Sequence, residues 1–111
     1  MTEGPGDIFL VDLGIDTSGH ELAFIRPAIL LHTEGNISLV IPLSGNVARL
    51  RFRGTALIKP DATNGLAKPS IALVFQIRAI DTRRVFRRIG MLSQKDKRSV
   101  NKTIRSVAFI A

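Results

Sequence analysis

Four polar side chains in the first half of the sequence are of types that could carry out acid–base or phosphate chemistry: His20, Glu21, Arg26 and Ser44. His20 and Glu21 are neighbours in a stretch rich in turn-forming residues, and functional groups are concentrated in such loops because a rigid scaffold can position them. The other histidine, His32, lies inside an apolar stretch, where a structural role is expected.

These side chains fit few reaction classes. The chain contains no cysteine, and no spacing of His, Asp and Glu resembles a metal site. No Gly-rich phosphate loop opens a helix and no nucleophile elbow is present, so nucleotide hydrolysis and serine-hydrolase chemistry are not indicated. RNA cleavage needs less, because the 2′-hydroxyl of the RNA can itself be the nucleophile. One base and a few groups that stabilise the phosphate are then sufficient, with no metal or other cofactor.

The charge of the chain is distributed unevenly. The formal net charge is +7; residues 1–48 hold one basic and six acidic residues, whereas residues 49–111 hold fifteen basic and three acidic residues. Such asymmetry favours a polyanionic partner, either a nucleic acid or an acidic protein. With six Phe and no Tyr or Trp, a wide stacking platform for bases is not expected.

The first half reads as short apolar strands separated by turns. Residues 7–12 form an apolar run between glycines that predicts a buried strand, and residues 14–21 are expected to form a loop. Residues 26–33 and 37–43 predict two further strands. Because a tight Glu-Gly-Asn connection joins them, a hairpin is expected.

The second half begins with strand-like patterns and a loop. Over residues 49–58, Leu50 and Phe52 alternate with arginines, which predicts a half-buried strand with these two apolar side chains on its inner face. Residues 59–69 are expected to form a loop, and residues 70–77 and 85–89 predict further strands.

The C-terminal segment shows a helical pattern instead. Ser93 is a candidate N-cap, and the apolar residues Val100, Ile104, Val107 and Ala108 recur at helical spacing. The opposite face carries basic residues, namely Lys95, Arg98, Lys102 and Arg105. This pattern predicts one amphipathic helix lying on a small, strongly curved sheet or barrel, in a single domain over residues 1–111.

No targeting or membrane-spanning segment is indicated. No apolar run approaches the ~20 residues that span a bilayer. The N-terminus is acidic and rich in Gly and Pro, unlike the basic start of a signal peptide. A soluble cytoplasmic protein without membrane contact is expected.

The order of several segments resembles the MazF/PemK/Kid family of toxin endoribonucleases from type II toxin–antitoxin systems. The resemblance covers nearly the whole chain. No single segment is decisive, but their common order over so short a chain is specific. The segments are GDIFLVDL (6–13), SGHE (18–21), RPAIL (26–30), IPLSGN (41–46), GLAKPSIALVFQIRAID (65–81) and RRIGMLS (87–93).

This resemblance implies a fold, an activity and partners. The implied fold is mainly β, an SH3-like barrel of five to seven short strands with a C-terminal α-helix. The implied activity is metal-independent, sequence-selective cleavage of single-stranded RNA that leaves a cyclic phosphate. The implied partners are a second copy of the chain, in a homodimer, and a small acidic antitoxin that neutralises the toxin.

The resemblance also assigns roles to individual residues. Arg26 matches the catalytic Arg that precedes Pro and would stabilise the charge on the scissile phosphate. Ser44 matches the catalytic Thr and would hydrogen-bond that phosphate, while Glu21 or His20 would be the base. The residues expected to bind RNA are the matched pair Gln76 and Arg78, together with Arg49, Arg51, Arg53, Arg84 and Arg87.

The chain departs from the family pattern at three positions within the matched segments. Ser44 replaces Thr, Phe75 occupies a position that is often acidic, and Ala79 replaces the usual Thr. Simpler roles also stay open, because Arg26 could pair with Asp7 or Asp12 and Ser44 could merely satisfy the backbone of a turn. Two other functions are therefore alternatives: a CcdB-like inhibitor that binds a protein target such as DNA gyrase, and a degenerate member that only binds antitoxin.

Overall fold

The computed structural model describes residues 4–15 and 23–108 of the chain. These residues form seven β-strands, three short 3₁₀ helices and one α-helix. The strands are β1 (Asp7–Ile15), β2 (Ala23–Glu34), β3 (Ile37–Ser44), β4 (Thr55–Ile58), β5 (Ser70–Leu73), β6 (Arg78–Asp81) and β7 (Val85–Met91). The 3₁₀ helices are Val47–Arg51, Val74–Gln76 and Thr82–Arg84, and the helix α1 is Gln94–Ala108.

The strands form one curled antiparallel sheet in the order β4-β5-β3-β2-β1-β7. Strand β3 lies at its centre, since β2 pairs with it along one side. On the other side, β6 pairs with the first half of β3 and β5 pairs with its end. Because β6 leaves β3 and the chain then returns through β7 to pair with β1, the sheet curls round on itself.

Each face of the sheet buries its own apolar cluster, because successive residues of a strand point to opposite faces. One cluster lies between the sheet and α1 and includes Ile8, Ile29 and Ile41, with Val100 of the helix. The second cluster lies on the opposite face and consists of Phe9, Val11, Ala28, Leu30, Val40 and Ile80. The two clusters together fix the curvature of the strands that hold the candidate site.

Much of the predicted architecture is confirmed. The fold is mainly β with a C-terminal helix, and β2 and β3 form the expected hairpin. Ser93 caps α1, since its Oγ accepts a hydrogen bond from the Asp96 backbone N–H at 3.1 Å. Val100 is buried, and Ile104 and Val107 pack against the same cluster. Ala108, expected on the buried face, is instead exposed.

The prediction of a strand over residues 49–58 is wrong in its first half. Val47–Arg51 forms a 3₁₀ helix, started by Asn46, whose side-chain oxygen accepts a hydrogen bond from the Ala48 backbone N–H at 3.1 Å. Strand β4 begins only at Thr55, after Gly54 with its φ of +73°. As a result, Leu50 and Phe52 do not face the core and are 44% and 43% exposed.

The strand predicted over residues 70–77 also ends early. Strand β5 stops at Leu73, and Val74–Gln76 forms a 3₁₀ helix. Strand β6 follows, and the sequence did not predict it. Strand β1 is longer than expected and reaches Ile15, so the first two residues of the predicted loop 14–21 belong to it. In the part of the chain that the structure describes, no helix is long and apolar enough to cross a membrane.

Candidate functional site

Arg26 and Ser44 lie on neighbouring strands and on the same face of the sheet. Ala28 of β2 pairs with Pro42 of β3 at the end of their register, and Arg26 and Ser44 each lie two residues beyond this pair. On the other side of β2, Arg26 pairs with Val11 of β1. Side chains two residues apart share a face, so both residues lie on the face that carries Ala28 and Val40, near the end of β3.

The Ser44 hydroxyl is held in place by the turn that follows β3. Its Oγ accepts a hydrogen bond from the Asn46 backbone N–H at 3.1 Å, and the residue is only 7% exposed. The simple role weighed from the sequence, an Ser/Thr turn, is therefore present. That role uses an acceptor site of the hydroxyl, whose own hydrogen stays able to donate to a phosphate oxygen.

Two more arginines gather at the end of β1, beside Arg26. Arg78 donates from Nη2 to the backbone carbonyl of Leu13 at 3.2 Å. A Cβ atom added to Gly14 would lie 3.4 Å from Nη1 of Arg84, so Arg84 covers the next residue of the same strand. Arg78 and Arg84 thus place their guanidinium groups at the end of β1, and Arg26 lies on the adjoining strand β2, paired with Val11.

The two candidate bases cannot be placed in this geometry. His20 and Glu21 belong to residues 16–22, which join β1 to β2 and lie outside the described residues. The chain leaves β1 at Ile15, immediately after the residues near Arg78 and Arg84, and re-enters β2 at Ala23, three residues before Arg26.

The other predicted RNA-binding residues occupy two further places. Arg49 and Arg51 lie on the 3₁₀ helix that follows Ser44, and Arg53 lies just after it. Gln76 ends the 3₁₀ helix Val74–Gln76 and is exposed. Arg87 is exposed on β7, where it pairs with Leu10 of β1.

The basic segment at residues 83–88 divides into paired and unpaired arginines. Arg83 donates to both carboxylate oxygens of Asp81, at 3.1 and 2.8 Å, and this hydrogen bonding lowers the pKa of Asp81 to about 2. Arg88 pairs with the buried carboxylate of Asp7 at 3.3 Å. Among the described residues, Arg84 and Arg87 take part in no ion pair, so they are the members of this segment best able to meet a phosphate.

A pair of aromatic side chains was not recognised in the sequence as a unit. Phe75, which stands at the often acidic position, contacts Phe52 edge-to-face, with ring centroids 6.4 Å apart. The guanidinium of Arg51 lies 5.0 Å from the Phe52 ring centroid. The signal that could have indicated Phe52 is its position between Arg51 and Arg53, which suits an exposed loop better than a buried strand face.

The arrangement can stabilise a phosphodiester. Arginine is suited to phosphate because its planar guanidinium donates several hydrogen bonds and stays charged. A buried hydroxyl beside it adds a neutral donor at a fixed position. Within the described residues, no three His, Asp or Glu side chains lie together in a way that could hold a metal ion.

Comparisons with known proteins show the family of the chain. Residues 4–108 match the family model described as "PemK-like, MazF-like toxin of type II toxin-antitoxin system". The chain is 29% identical over 104 residues to the endoribonuclease MazF of Staphylococcus saprophyticus, covering 89% of this chain and 85% of that protein.

Solved structures share the fold at lower identity. The Mycobacterium tuberculosis toxin MazF-mt6 superposes with a TM-score of 0.72 at 21% identity, covering 95% of this chain and 98% of that one. A structure described as an endoribonuclease from mycobacterial species gives a TM-score of 0.69 at 9% identity, covering 97% of this chain and 92% of that one.

Proposed function

Because the chain belongs to the family of PemK-like and MazF-like toxins of type II toxin–antitoxin systems, we propose that it is an endoribonuclease that cuts single-stranded RNA at selected sequences. The reaction proposed is transesterification to a 2′,3′-cyclic phosphate. The similarity to a protein named endoribonuclease MazF supports this activity.

In the proposed reaction the RNA supplies its own nucleophile. Glu21 or His20 takes the proton from a 2′-hydroxyl, whose oxygen then forms a bond to the adjacent phosphorus. The bond from phosphorus to the 5′-oxygen of the next nucleotide breaks, and that oxygen takes up a proton. Arg26 stabilises the negative charge that develops on the phosphate oxygens, and Ser44 donates a hydrogen bond to one of them.

The observation that supports the proposal is that Arg26 of β2 and Ser44 of β3 both lie two residues beyond the Ala28–Pro42 pair, on the same face of the sheet. Arg78 and Arg84 lie near Leu13 and Gly14 at the end of β1, and the segment 16–22 that contains His20 and Glu21 follows this strand. The remainder of the RNA would be bound by Arg49, Arg51, Arg53, Gln76 and Arg87.

Removal of the Arg26 guanidinium tests the role of this site. Purified wild-type protein and Arg26→Ala are incubated with single-stranded RNA of mixed sequence in the presence of EDTA, and the RNA ends are analysed for cyclic phosphate. The wild type is expected to cut, and Arg26→Ala to cut on the order of 100-fold more slowly because a charge-stabilising donor is lost. Circular dichroism checks that the variant is folded.

Arg98→Ala is the matched control, because Arg98 is an exposed arginine of α1 that belongs to no site described above. A folded Arg26→Ala protein that cuts at the wild-type rate would remove Arg26 from the mechanism. Absence of cutting by the wild type on all RNA sequences would reject the endoribonuclease proposal. Inhibition of DNA gyrase by such a protein would then support the CcdB-like function, and binding of antitoxin alone would support the degenerate one.

We further propose two protein partners for the toxin. An acidic antitoxin suits the balance of fifteen basic and three acidic residues over residues 49–111, because charge complementarity steers association. Such a partner should suppress RNA cleavage when it is added in excess. The second partner is another copy of the chain in a homodimer, which light scattering on the purified protein would detect as a doubled molar mass.

A further inference from the structure

Phe52 and Phe75 form an exposed aromatic pair at the end of the β4–β5 strand pair, where β4 begins and β5 stops. Their rings meet edge-to-face at 63°, and the two residues are 43% and 42% exposed. Exposed aromatic rings in contact offer both a flat face and an edge to a ligand. We call this pair, with the Arg51 guanidinium that lies over the Phe52 ring, the aromatic platform.

The backbone around the platform is tightly held. The Thr55 hydroxyl donates to the Phe52 carbonyl at 2.8 Å, and the Phe75 backbone N–H donates to the Gly54 carbonyl at 3.1 Å. A Cβ atom added to Gly54 would lie 2.8 Å from Cγ2 of Val107 and 3.0 Å from Cβ of Phe75. The backbone that carries both rings is therefore held by hydrogen bonds, and Gly54 lies close to Val107 of α1.

The chain segment that carries Phe52 holds only positive charges. Residues 45–60 contain Arg49, Arg51, Arg53 and Lys59 and no acidic residue. Aromatic rings interleaved with arginines are typical of surfaces that stack bases and hold the backbone of single-stranded nucleic acid. The platform thus combines the two groups that an unpaired nucleotide requires.

The platform is also connected directly to the candidate active site. Asn46 donates its backbone N–H to Ser44 and caps the 3₁₀ helix Val47–Arg51. Phe52 follows that five-residue helix, whose length is about 10 Å at the rise of a 3₁₀ helix. A base on the platform and a phosphate at Ser44 would therefore belong to the same short stretch of RNA.

We propose that Phe52 and Phe75, with Arg51, form a stacking site for one unpaired base of the RNA substrate. This inference rests on the proposed function and adds to it the residues that would bind one base of the substrate. The site is small, so it accommodates one base and not the extended stack for which the aromatic content of the chain is too low.

Charge favours RNA over a second copy of the chain as the occupant. In a two-fold symmetric interface the same patch would lie on both subunits. The arginines at 49, 51 and 53 would then approach their own copies, and like charges brought together across an interface cost free energy. RNA phosphates neutralise the same arginines.

The test measures binding to an RNA that cannot be cut. A fluorescent 2′-O-methyl RNA with the sequence of a cleaved substrate is titrated with wild type, Phe52→Leu and Phe75→Leu. If no substrate is cut, a 2′-O-methyl oligo(A) takes its place. Leucine keeps apolar volume but removes the ring. Each variant is expected to raise Kd about fivefold or more, since base–aromatic stacking corresponds to roughly 5- to 150-fold in affinity. Phe52→Trp should bind as tightly as the wild type.

Phe86→Leu is the matched control, because Phe86 is 54% exposed on β7, at the other end of the sheet order from β4. Because Phe86 also neighbours Arg87, which we expect to bind RNA, this variant should raise Kd by clearly less than Phe52→Leu or Phe75→Leu does. In a second measurement each nucleotide of the RNA is made abasic in turn. One abasic position should weaken binding of the wild type and have no further effect on Phe52→Ala, because the two changes remove the same contact.

The outcomes separate the platform from the proposed activity. If the wild type cuts RNA while both leucine variants bind like it, the platform is wrong and the endoribonuclease stands. If weaker binding accompanies a change in molar mass, the patch is an interface between copies, which also overturns the inference. If the wild type binds RNA without cutting it and the leucine variants bind more weakly, the stacking site is supported and the endoribonuclease proposal is rejected. A wild type that neither cuts nor binds RNA overturns both.

Discussion

Ser44 combines a structural and a proposed chemical role in one hydroxyl. Its Oγ accepts from the Asn46 backbone N–H at 3.1 Å in a nearly buried position at the end of β3. The hydroxyl can still donate one hydrogen bond, and Arg26 lies on the neighbouring strand β2, likewise two residues beyond the Ala28–Pro42 pair. The resemblance predicted these two residues as partners, whereas their cross-strand arrangement comes only from the register. The serine in place of the family threonine keeps this donor.

Substitutions at Ser44 should separate its two roles. Ser44→Thr keeps the hydroxyl and restricts χ1, so cleavage should be equal to or faster than that of the wild type. Ser44→Ala removes the donor and should slow cleavage about 100-fold. It should also lower the free energy of unfolding by about 1 kcal/mol, because the Asn46 N–H loses its partner. Cleavage rates and urea unfolding of the three proteins check this.

The two readouts make the Ser44 test specific. A purely structural serine would give an alanine variant that is less stable yet cuts normally below its unfolding transition. That result would exclude Ser44 from the reaction and leave it as a turn residue.

At the scale of elements, the sequence predicted the strands and the helix that have clear turn or cap residues, but it did not predict the 3₁₀ helix that interrupts the strand expected over residues 49–58. The hairpin of β2 and β3 and the start of α1 have turn and cap residues that act within a few positions, so the sequence specifies them. The alternation of Leu50 and Phe52 with arginines has the same period as a strand, yet the Asn46 cap and Gly54 impose a 3₁₀ helix there. Periodicity cannot distinguish the two when the apolar side chains have no core to face.

The ion pair between Asp7 of β1 and Arg88 of β7 should contribute to the stability of the fold, because its carboxylate is buried. Asp7 is buried and accepts from the Gly4 backbone N–H at 2.9 Å and from Arg88 at 3.3 Å, whereas the Arg88 side chain is 36% exposed. Removing Arg88 leaves a buried carboxylate without its countercharge, while an unpaired Arg88 could still reach water. We expect Arg88→Ala to lower the free energy of unfolding by ~1–3 kcal/mol, measured by urea denaturation.

Arg87→Ala is the control for this pair, because Arg87 is the adjacent exposed residue of β7 and forms no ion pair among the described residues. Its effect should stay within about 0.5 kcal/mol, as for ordinary surface substitutions. Equal destabilisation by the two variants would mean that the Asp7 carboxylate does not depend on Arg88.

At the scale of the whole molecule, the basic residues proposed to bind the RNA backbone lie in the second half of the sequence, whereas the residues proposed to cut it lie in the first half. Arg26 is the only Lys or Arg among residues 1–48, whereas residues 49–111 hold fifteen. The fold brings Arg78 and Arg84, from that basic half, to the end of β1 beside Arg26. Their sequence separation from Arg26 explains why composition indicated a polyanionic partner but could not assemble the site.

This distribution predicts how RNA binding depends on salt. If about 4–6 phosphates are engaged, the logarithm of the association constant should fall with the logarithm of salt concentration at a slope of about −3 to −4 for single strands. Replacing both Arg84 and Arg87 by Ala should make the slope shallower by about 1.4, since each phosphate contact contributes ~0.7. Arg98→Ala on α1 should leave it unchanged. Titrations of the uncleavable 2′-O-methyl RNA over a range of salt concentrations provide the slopes. An equal reduction by the Arg98 variant would mean that the basic surface binds RNA diffusely, without the path along β7 that Arg84 and Arg87 define.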